Sequence, residues 1–141
     1  MKGDFKNNTS SSSMSLSEGG AIYNTGVIEN IEGNFVNNSV NGITGARGGA
    51  IRNAGIDSTI KNITGNFIGN SVTSDNNAYG GAIRNEGFIE KITGNFLNNV
   101  SSGEGGAILN RGIINLVADI NNIEFTGNTA NGVSNAIFDD G

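Results

Sequence analysis

Two short motifs alternate along the chain, and their spacing constrains the fold more than any other feature of the sequence. One is Gly-Gly-Ala-Ile, which begins at residues 19, 48, 80 and 105 and returns in a degenerate form at residues 134–137. The other is Phe-x-x-Asn, whose phenylalanines follow each other at intervals of 30, 32, 29 and 29 residues. An internal repeat of this length indicates a repeat architecture rather than an ordinary globular domain.

The composition limits how such a repeat can build an interior. Hydrophobic residues make up 35% and charged residues 15% of the chain, which are both low shares, while glycine occurs 23 times and proline is absent. Disordered chains combine high charge with few β-branched residues, but here isoleucine and valine recur on a fixed period. We therefore expect an interior built partly from asparagine, glycine and alanine.

The local pattern predicts strands and not helices. No stretch sustains apolar residues at helical spacing, because glycine and asparagine interrupt every run. Short β-branched runs bounded by these residues are typical of strands. We predict three short strands per repeat, on Gly-Ala-Ile-x-Asn, on residues 27–28 and their equivalents, and on Gly-Asn-Phe. Residues 1–141 are then one domain, an all-β, right-handed, single-stranded parallel β-helix of about five coils.

Coils of this kind place like residues above one another, about 4.8 Å apart. Stacked phenylalanines and isoleucines would form a dry interior, and stacked asparagine side chains would hydrogen-bond along the axis as amide ladders. The predicted structural ladders are Phe5, Phe35, Phe67, Phe96 and Phe125; Asn24, Asn53, Asn85 and Asn110; and Asn38, Asn70, Asn99 and Asn128.

Alternation along a strand also assigns the outer face. It predicts that the residue between each inward isoleucine and asparagine points outward; these residues are Tyr23, Arg52, Arg84 and Leu109. Where the two arginines stack, we expect Glu86 to relieve their repulsion. A second outer column holds Glu29, Lys61 and Glu90, with alternating sign. In the last full repeat, Ala118 and Asn121 occupy the positions of the inward isoleucines, while Ile120 and Ile123 are displaced. We expect a bulge there.

The segment between Phe-x-x-Asn and the next Gly-Gly varies from repeat to repeat. Residues 41–47 and 73–79 are each longer than residues 101–104, and the serine-rich residues 9–17 form the equivalent segment of the first repeat. Insertions of this kind lie on one side of a solenoid, often the binding side. Arg47, Asp75 and Tyr79 are therefore the candidate binding residues.

Several chemistries find little support in the sequence. Without cysteine or histidine there is no disulfide and no thiolate or imidazole metal site, and a net charge of -5 argues against a nucleic-acid partner. No apolar run reaches the ~20 residues of a membrane helix, so we expect no membrane insertion by this segment. The carboxylates of Asp57, Asp75 and Asp139 are scattered. We predict no catalytic residue, no cofactor, no metal and no enzymatic activity. A carbohydrate-active β-helix that binds or cleaves polysaccharide is the alternative.

The paired motifs, from Phe5 to Ile137, resemble the repeats of the chlamydial polymorphic membrane proteins, and related repeats occur in other autotransporter-type passengers. The resemblance implies an adhesive β-helical passenger that is secreted or displayed on the bacterial cell surface or outer membrane. Its implied partner is a receptor or glycan of a host cell or other surface. The first 25 residues lack the apolar segment of a signal peptide, so we expect a fragment of a larger surface protein. Open strand edges at both ends predict end-to-end self-association.

Overall fold

The computed structural model describes residues 1–115 and 123–140, and all of the regular structure in these ranges is β. The chain winds into a parallel β-solenoid, in which each coil adds one short strand to each of up to five sheets. The strands are two to six residues long, because glycine and asparagine end each run and turn the chain toward the next sheet.

We number the sheets I to V in the order in which the chain visits them. Sheet I contains β1 (Phe5–Lys6), β6 (Phe35–Val36), β11 (Phe67–Ile68), β16 (Phe96–Leu97) and β20 (Phe125–Thr126). Sheet II contains β2 (Thr9–Ser12), β7 (Ser39–Gly42), β12 (Ser71–Thr73), β17 (Val100–Ser101), β21 (Thr129–Ala130) and β22 (Val133–Ser134). Sheet III contains β3 (Leu16–Glu18), β8 (Gly45–Arg47) and β13 (Ala78–Tyr79).

The last two sheets carry the other strands that the structure describes. Sheet IV contains β4 (Ile22–Asn24), β9 (Ile51–Asn53), β14 (Ile83–Asn85), β18 (Ile108–Asn110) and β23 (Ile137–Asp139). Sheet V contains β5 (Val27–Glu32), β10 (Thr59–Thr64), β15 (Phe88–Thr93) and β19 (Ile113–Ile114).

The strand register confirms the predicted solenoid. Phe35 pairs with Phe67 in sheet I and Ile51 with Ile83 in sheet IV, so equivalent residues of successive coils lie above one another. The predicted coil count was too high, because the stack makes about 4 turns. The prediction of three strands per coil was also wrong. The segment between Phe-x-x-Asn and Gly-Gly is long enough in the early coils to form two further strands, those of sheets II and III.

The interior has two compartments. Sheets I, IV and V enclose the main tube, which is filled by isoleucine, alanine and phenylalanine side chains, most of them fully buried. Sheets II and III enclose a smaller cluster made of Val40, Ala46, Val72 and Ala78, and we call this pair of sheets the arm. The arm therefore has its own apolar filling, separate from that of the tube.

Glycine pairs join the arm to the tube. Gly48 has a φ of +65°, and a Cβ on Gly49 would lie 2.0 Å from the carbonyl oxygen of Gly81 in the next coil. No side chain fits between backbones at that separation, so Gly-Gly recurs wherever a coil leaves sheet III for sheet IV. Of the predicted bulge, Ala118, Ile120 and Asn121 lie outside the described residues, whereas Ile123 packs against the tube interior.

Candidate functional site

Amide ladders follow the wall of the tube. In the corner ladder, Asn24 Nδ2 donates to Asn53 Oδ1 at 2.8 Å, and the same contact repeats in each coil until Asn110 Nδ2 donates to Asp139 Oδ1 at 2.9 Å. The intermediate steps pass through Asn85 at 2.8 Å each. Each buried amide is thus hydrogen-bonded to the equivalent residue of the next coil. Because an unpaired buried amide would be destabilising, these asparagines have a structural role.

The Phe-x-x-Asn asparagines form a second ladder beside the stacked rings. It runs from Asn8 through the positions predicted from the motif, with Nδ2–Oδ1 distances of 2.8–2.9 Å; its members are Asn8, Asn38, Asn70, Asn99 and Asn128. Asn70 Nδ2 also donates to the carbonyl oxygen of Phe35, one coil back, at 2.9 Å. The rings of Phe5, Phe35, Phe67, Phe96 and Phe125 stack with centroids 4.7–4.8 Å apart.

A third ladder was missed by the sequence reasoning. Asn66 donates from its backbone N–H and from Nδ2 to Asn34 Oδ1, at 3.1 Å each, and Asn34 donates in the same way to Asp4 Oδ1. Its donors point toward the N-terminus, opposite to the corner ladder. The recurring Gly-Asn-Phe triplet was the available signal, since its asparagine repeats as regularly as the others.

The arm carries an open groove on its outer corner, with a volume of about 570 Å³. Residues 11–13, 41–43 and 73–75 line it, so three successive coils contribute one equivalent segment each. The lining is mostly hydroxyl and amide groups, together with Ile43, whose side chain is 45% exposed, and one carboxylate, that of Asp75. The groove can therefore offer several hydrogen-bonding groups and one apolar contact.

Hydrogen bonds between coils fix the shape of this groove. Ser74 Oγ and Asn76 Nδ2 both donate to the carbonyl oxygen of Ile43, at 3.2 and 3.0 Å, and so tie one coil to the coil before it. In the first coil, the Ser15 backbone N–H donates to Ser12 Oγ at 3.0 Å and closes the turn. The remaining polar groups of the lining are thus held on a preorganised surface.

The other side of the arm faces sheet IV and holds an Arg–Glu cluster, defined as Glu18, Arg47, Arg52, Arg84 and Glu86. Arg52 donates to Glu18 at 3.0 Å and to Glu86 at 2.6 Å, while Glu86 also accepts a hydrogen bond from Arg84. Arg47 lies 3.3 Å from Glu18. The guanidinium of Arg84 lies over the ring of Tyr79, 4.7 Å from its centroid.

The structure corrects the predicted outer face of sheet IV. Arg52 and Arg84 are 3% and 1% exposed and Leu109 is fully buried, whereas Tyr23 is 53% exposed as predicted. The side chains of the three buried residues point away from the tube. The two arginines are nevertheless covered, because Glu18 and Tyr79 of the arm lie against them. Glu86 bridges the two stacked arginines, which is the arrangement that offsets their repulsion.

The cluster has one strongly shifted carboxyl group. Burial raises the pKa of Glu86, but hydrogen bonds from Arg52 and Arg84, together with their positive charges, outweigh burial and lower the pKa from 4.5 to about 2. Burial also lowers the pKa of the Arg84 guanidinium, and the hydrogen bond with Glu86 opposes that change. The ion pairs of Glu86 with Arg52 and Arg84 therefore persist at neutral and mildly acidic pH, and Arg52 also pairs with Glu18 of the arm.

The three candidate binding residues lie on two sides of the arm. Arg47 and Tyr79 occupy equivalent positions in successive strands of sheet III, where Arg47 pairs with Glu18 and Tyr79 lies under the guanidinium of Arg84. Asp75 lines the groove on the other corner. Residues 11–13 of the groove belong to the serine-rich residues 9–17, which the sequence assigned to the equivalent segment of the first repeat, and they pair with residues 41–42 of the next coil. They were not among the candidate binding residues. The binding role of all three candidates stays a prediction.

The stacked motifs define the class of protein as a parallel β-solenoid of repeated coils. Residues 3–25 and 93–111 match the Chlamydia polymorphic membrane protein (Chlamydia_PMP) repeat. Each matched segment contains one Phe-x-x-Asn and one Gly-Gly-Ala-Ile motif, so the resemblance inferred from these motifs is confirmed. The two matches together cover less than half of the chain.

Comparisons with curated proteins and with solved structures gave no significant match. In the part of the chain that the structure describes, no helix has the length and apolarity needed to cross a bilayer. Within the same residues, no three or more acidic side chains gather into a group that could hold a metal ion.

Proposed function

We propose that this chain is a passenger-like segment of a surface-exposed repeat protein, at the bacterial outer membrane or cell surface, and that it acts in adhesion. The repeat match and the solenoid fold support a stalk-like role, because stacked coils with a continuous buried interior make a stiff rod. One observation carries the adhesive part: three successive coils add equivalent segments of different sequence to a single open groove, while phenylalanine repeats in every strand of sheet I.

The chemistry of the groove favours a glycan of a host cell or other surface as the ligand. Its serine and threonine hydroxyls and the amide of Asn41 can exchange hydrogen bonds with sugar hydroxyls, and Asp75 can accept from them. Ile43 supplies an apolar contact for a sugar face. The volume of about 570 Å³ lies within the range of small-molecule sites, and the repeated lining suits a linear chain along the solenoid axis.

A matched pair of variants tests the groove. The groove variant combines Asn41→Ala, Thr73→Ala and Asp75→Ala, all of which are exposed positions. The control combines Glu29→Ala, Asn30→Ala and Glu90→Ala on the exposed face of sheet V. Binding of the purified chain to host cells and to a glycan array is measured for both. We expect the groove variant to lose at least tenfold in binding and the control to bind like the wild type. A folded groove variant with unchanged binding would contradict the proposal.

Cleavage of polysaccharide is the competing activity. Glycoside hydrolysis normally needs a pair of carboxyl groups across the scissile bond, and Asp75 is the single carboxylate among the residues that line the groove. We therefore propose binding without turnover. Incubation of the wild-type chain with polysaccharides, followed by an assay for new reducing or unsaturated ends, separates the two; sustained turnover would replace adhesion by catalysis.

A further inference from the structure

The C-terminal part of sheet II departs from the parallel pattern. Here β22 turns back and pairs antiparallel with β21, through Thr129 with Ser134 and Ala130 with Val133. The two turn residues are Asn131, with a φ of +49°, and Gly132, with a φ of +76°, and this Asn-Gly pair with two positive φ values is the type I′ hairpin turn. In the earlier coils, the same point of the chain leads into sheet III.

The hairpin occupies the place of a further coil. In sheet II the strand order ends β17-β21-β22, so β22 lies on the edge of β21 where a sixth parallel strand would hydrogen-bond. All sheets share one rise per coil, which the ring spacing of 4.7–4.8 Å reports. A further coil that β22 keeps from pairing with β21 in sheet II is consequently too far away to pair with the last strands of the other sheets.

The corner ladder ends at the same face of the molecule. Asp139 accepts the hydrogen bond from Asn110 at 2.9 Å, but an ionised carboxylate has no N–H to donate onward. A second copy that stacked here would bring its first ladder residue, Asn24, with an acceptor oxygen facing that carboxylate. Two acceptors would then meet without a proton between them, and the alignment would be unfavourable.

From the hairpin and the terminal carboxylate, we propose that the C-terminal face of the stack is a closed end that excludes a second copy of this chain. The predicted end-to-end self-association then does not form through this face. The inference is independent of the adhesive role, since it concerns a different surface and would stand if the groove bound nothing. In this proposal, residues 129–139 prevent the unpaired strand edges of this face from pairing with another chain.

Cross-linking tests the closed end in the chain as it exists. The protein has no cysteine, so Thr9→Cys and Ser134→Cys, introduced in separate copies and mixed, report only a head-to-tail contact between the first strand of sheet II and the cap. Both positions are exposed. Under oxidising conditions, we expect the mixed disulfide to form no faster than the two symmetric disulfides that random collision gives, over a wide range of concentrations. Faster formation of the mixed disulfide in high yield would overturn the proposal.

An opened variant provides the complementary result. Asn131→Val with Gly132→Val disfavours the turn, because β-branched residues avoid positive φ, and Asp139→Asn restores a donor to the ladder. We expect sedimentation velocity to show concentration-dependent dimers and longer chains for this variant. The control Asp140→Asn removes the same charge outside the ladder and should sediment like the wild type. A folded opened variant that stays monomeric would also overturn the proposal.

Discussion

The tube and the arm use the same coil but differ in what they repeat. At the equivalent position of sheet I, all five strands carry phenylalanine. The equivalent column of sheet III holds Glu18, Arg47 and Tyr79, followed by Glu104 in a single bridge. Inside the tube a side chain touches its own kind above and below, so one residue that stacks well is favoured at every level. The outer surfaces of the arm have no such constraint and are free to vary.

The polar contacts of the two regions differ for the same reason. An asparagine amide carries both a donor and an acceptor, so it can pair with an identical neighbour indefinitely. A guanidinium or a carboxylate cannot, and the stacked Arg52 and Arg84 therefore need Glu86 between them. The ladders of the tube can grow by copying a coil, whereas each charged contact on the face where the arm covers sheet IV has to be built from residues of opposite sign. The predictions below test this contrast.

The largest effect is expected inside the tube. Phe67→Ala removes a fully buried ring from the middle of the stack, which leaves a cavity bounded by Phe35 and Phe96. We expect a loss of about 3–5 kcal/mol in the free energy of unfolding, measured by chemical denaturation. Ile56→Ala is the control, because this side chain is 87% exposed, and it should change stability little. Similar losses for the two variants would refute the stacked interior.

Glycine substitutions compare a junction of tube and arm with an open corner. Gly49→Ala places a Cβ 2.0 Å from the carbonyl oxygen of Gly81, so the backbones of two coils must separate. We expect a loss of about 2–3 kcal/mol. Gly26→Ala meets no atom within 4 Å, and it should leave stability unchanged or slightly raised. Thermal unfolding of both proteins measures the difference, and equal melting temperatures would argue against the tight junction.

Removing one amide from a ladder tests the repeated polar contact. In Asn70→Ala, the buried groups of Asn38 and Asn99 lose partners and so does the carbonyl oxygen of Phe35. We expect a loss of about 1–3 kcal/mol in denaturant titration. Asn62→Ala removes an exposed amide pair with Asn30, and the expected loss is below about 0.5 kcal/mol. If the buried ladder set only the register of the strands, Asn70→Ala and Asn62→Ala would have the same free energy of unfolding.

Acid should weaken the Arg–Glu cluster on the outer face of sheet IV before it affects the interior of the tube. The pKa of Glu86 is lowered from 4.5 to about 2 in the folded chain, so its contribution to stability is complete above pH 4.5 and is lost as the pH falls toward 2. Because the side chain is 27% exposed and water screens the pairs, we expect this loss to be about 1–2 kcal/mol. Glu86→Gln should remove that part of the acid dependence, whereas the exposed Glu90→Gln should keep it. Urea titrations across this pH range measure both.

The sequence was a good guide to the tube because repetition reveals which residues stack. The regular spacing of Phe35, Phe67 and Phe96 is enough to assign them to one column, and the register places them together. The two isoleucines of sheet V are a further case. Ile60 and Ile63 both point inward although they are three residues apart, and pairing in that sheet passes over Lys61 between them. The two isoleucines stand seven and four residues before phenylalanine in successive repeats, and this constant spacing was the sequence signal of the irregularity.

The arm was harder to predict because its contacts do not repeat. The two extra strands per coil lie in segments that differ in composition, as residues 41–47 and 73–79 do, and in length, as residues 73–79 and 101–104 do. The burial of Arg52 and Arg84 depends on the arm crossing the outer face of sheet IV, which is a tertiary arrangement that alternation along one strand cannot reveal. The groove likewise combines three segments whose only common feature is their place in the coil.

The smallest effect on stability is expected at the groove, where the contrast between tube and arm is sharpest. Asp75→Asn keeps the shape of an exposed side chain and removes its charge, so the free energy of unfolding should change by less than about 0.5 kcal/mol. Glycan binding by the same variant should fall, since a carboxylate accepts stronger hydrogen bonds from hydroxyls than a neutral amide does. Denaturation and glycan binding of one preparation give both numbers. A large loss of stability at Asp75 would mean that the arm, like the tube, is constrained by packing, and its variation between coils would then need another explanation than ligand binding.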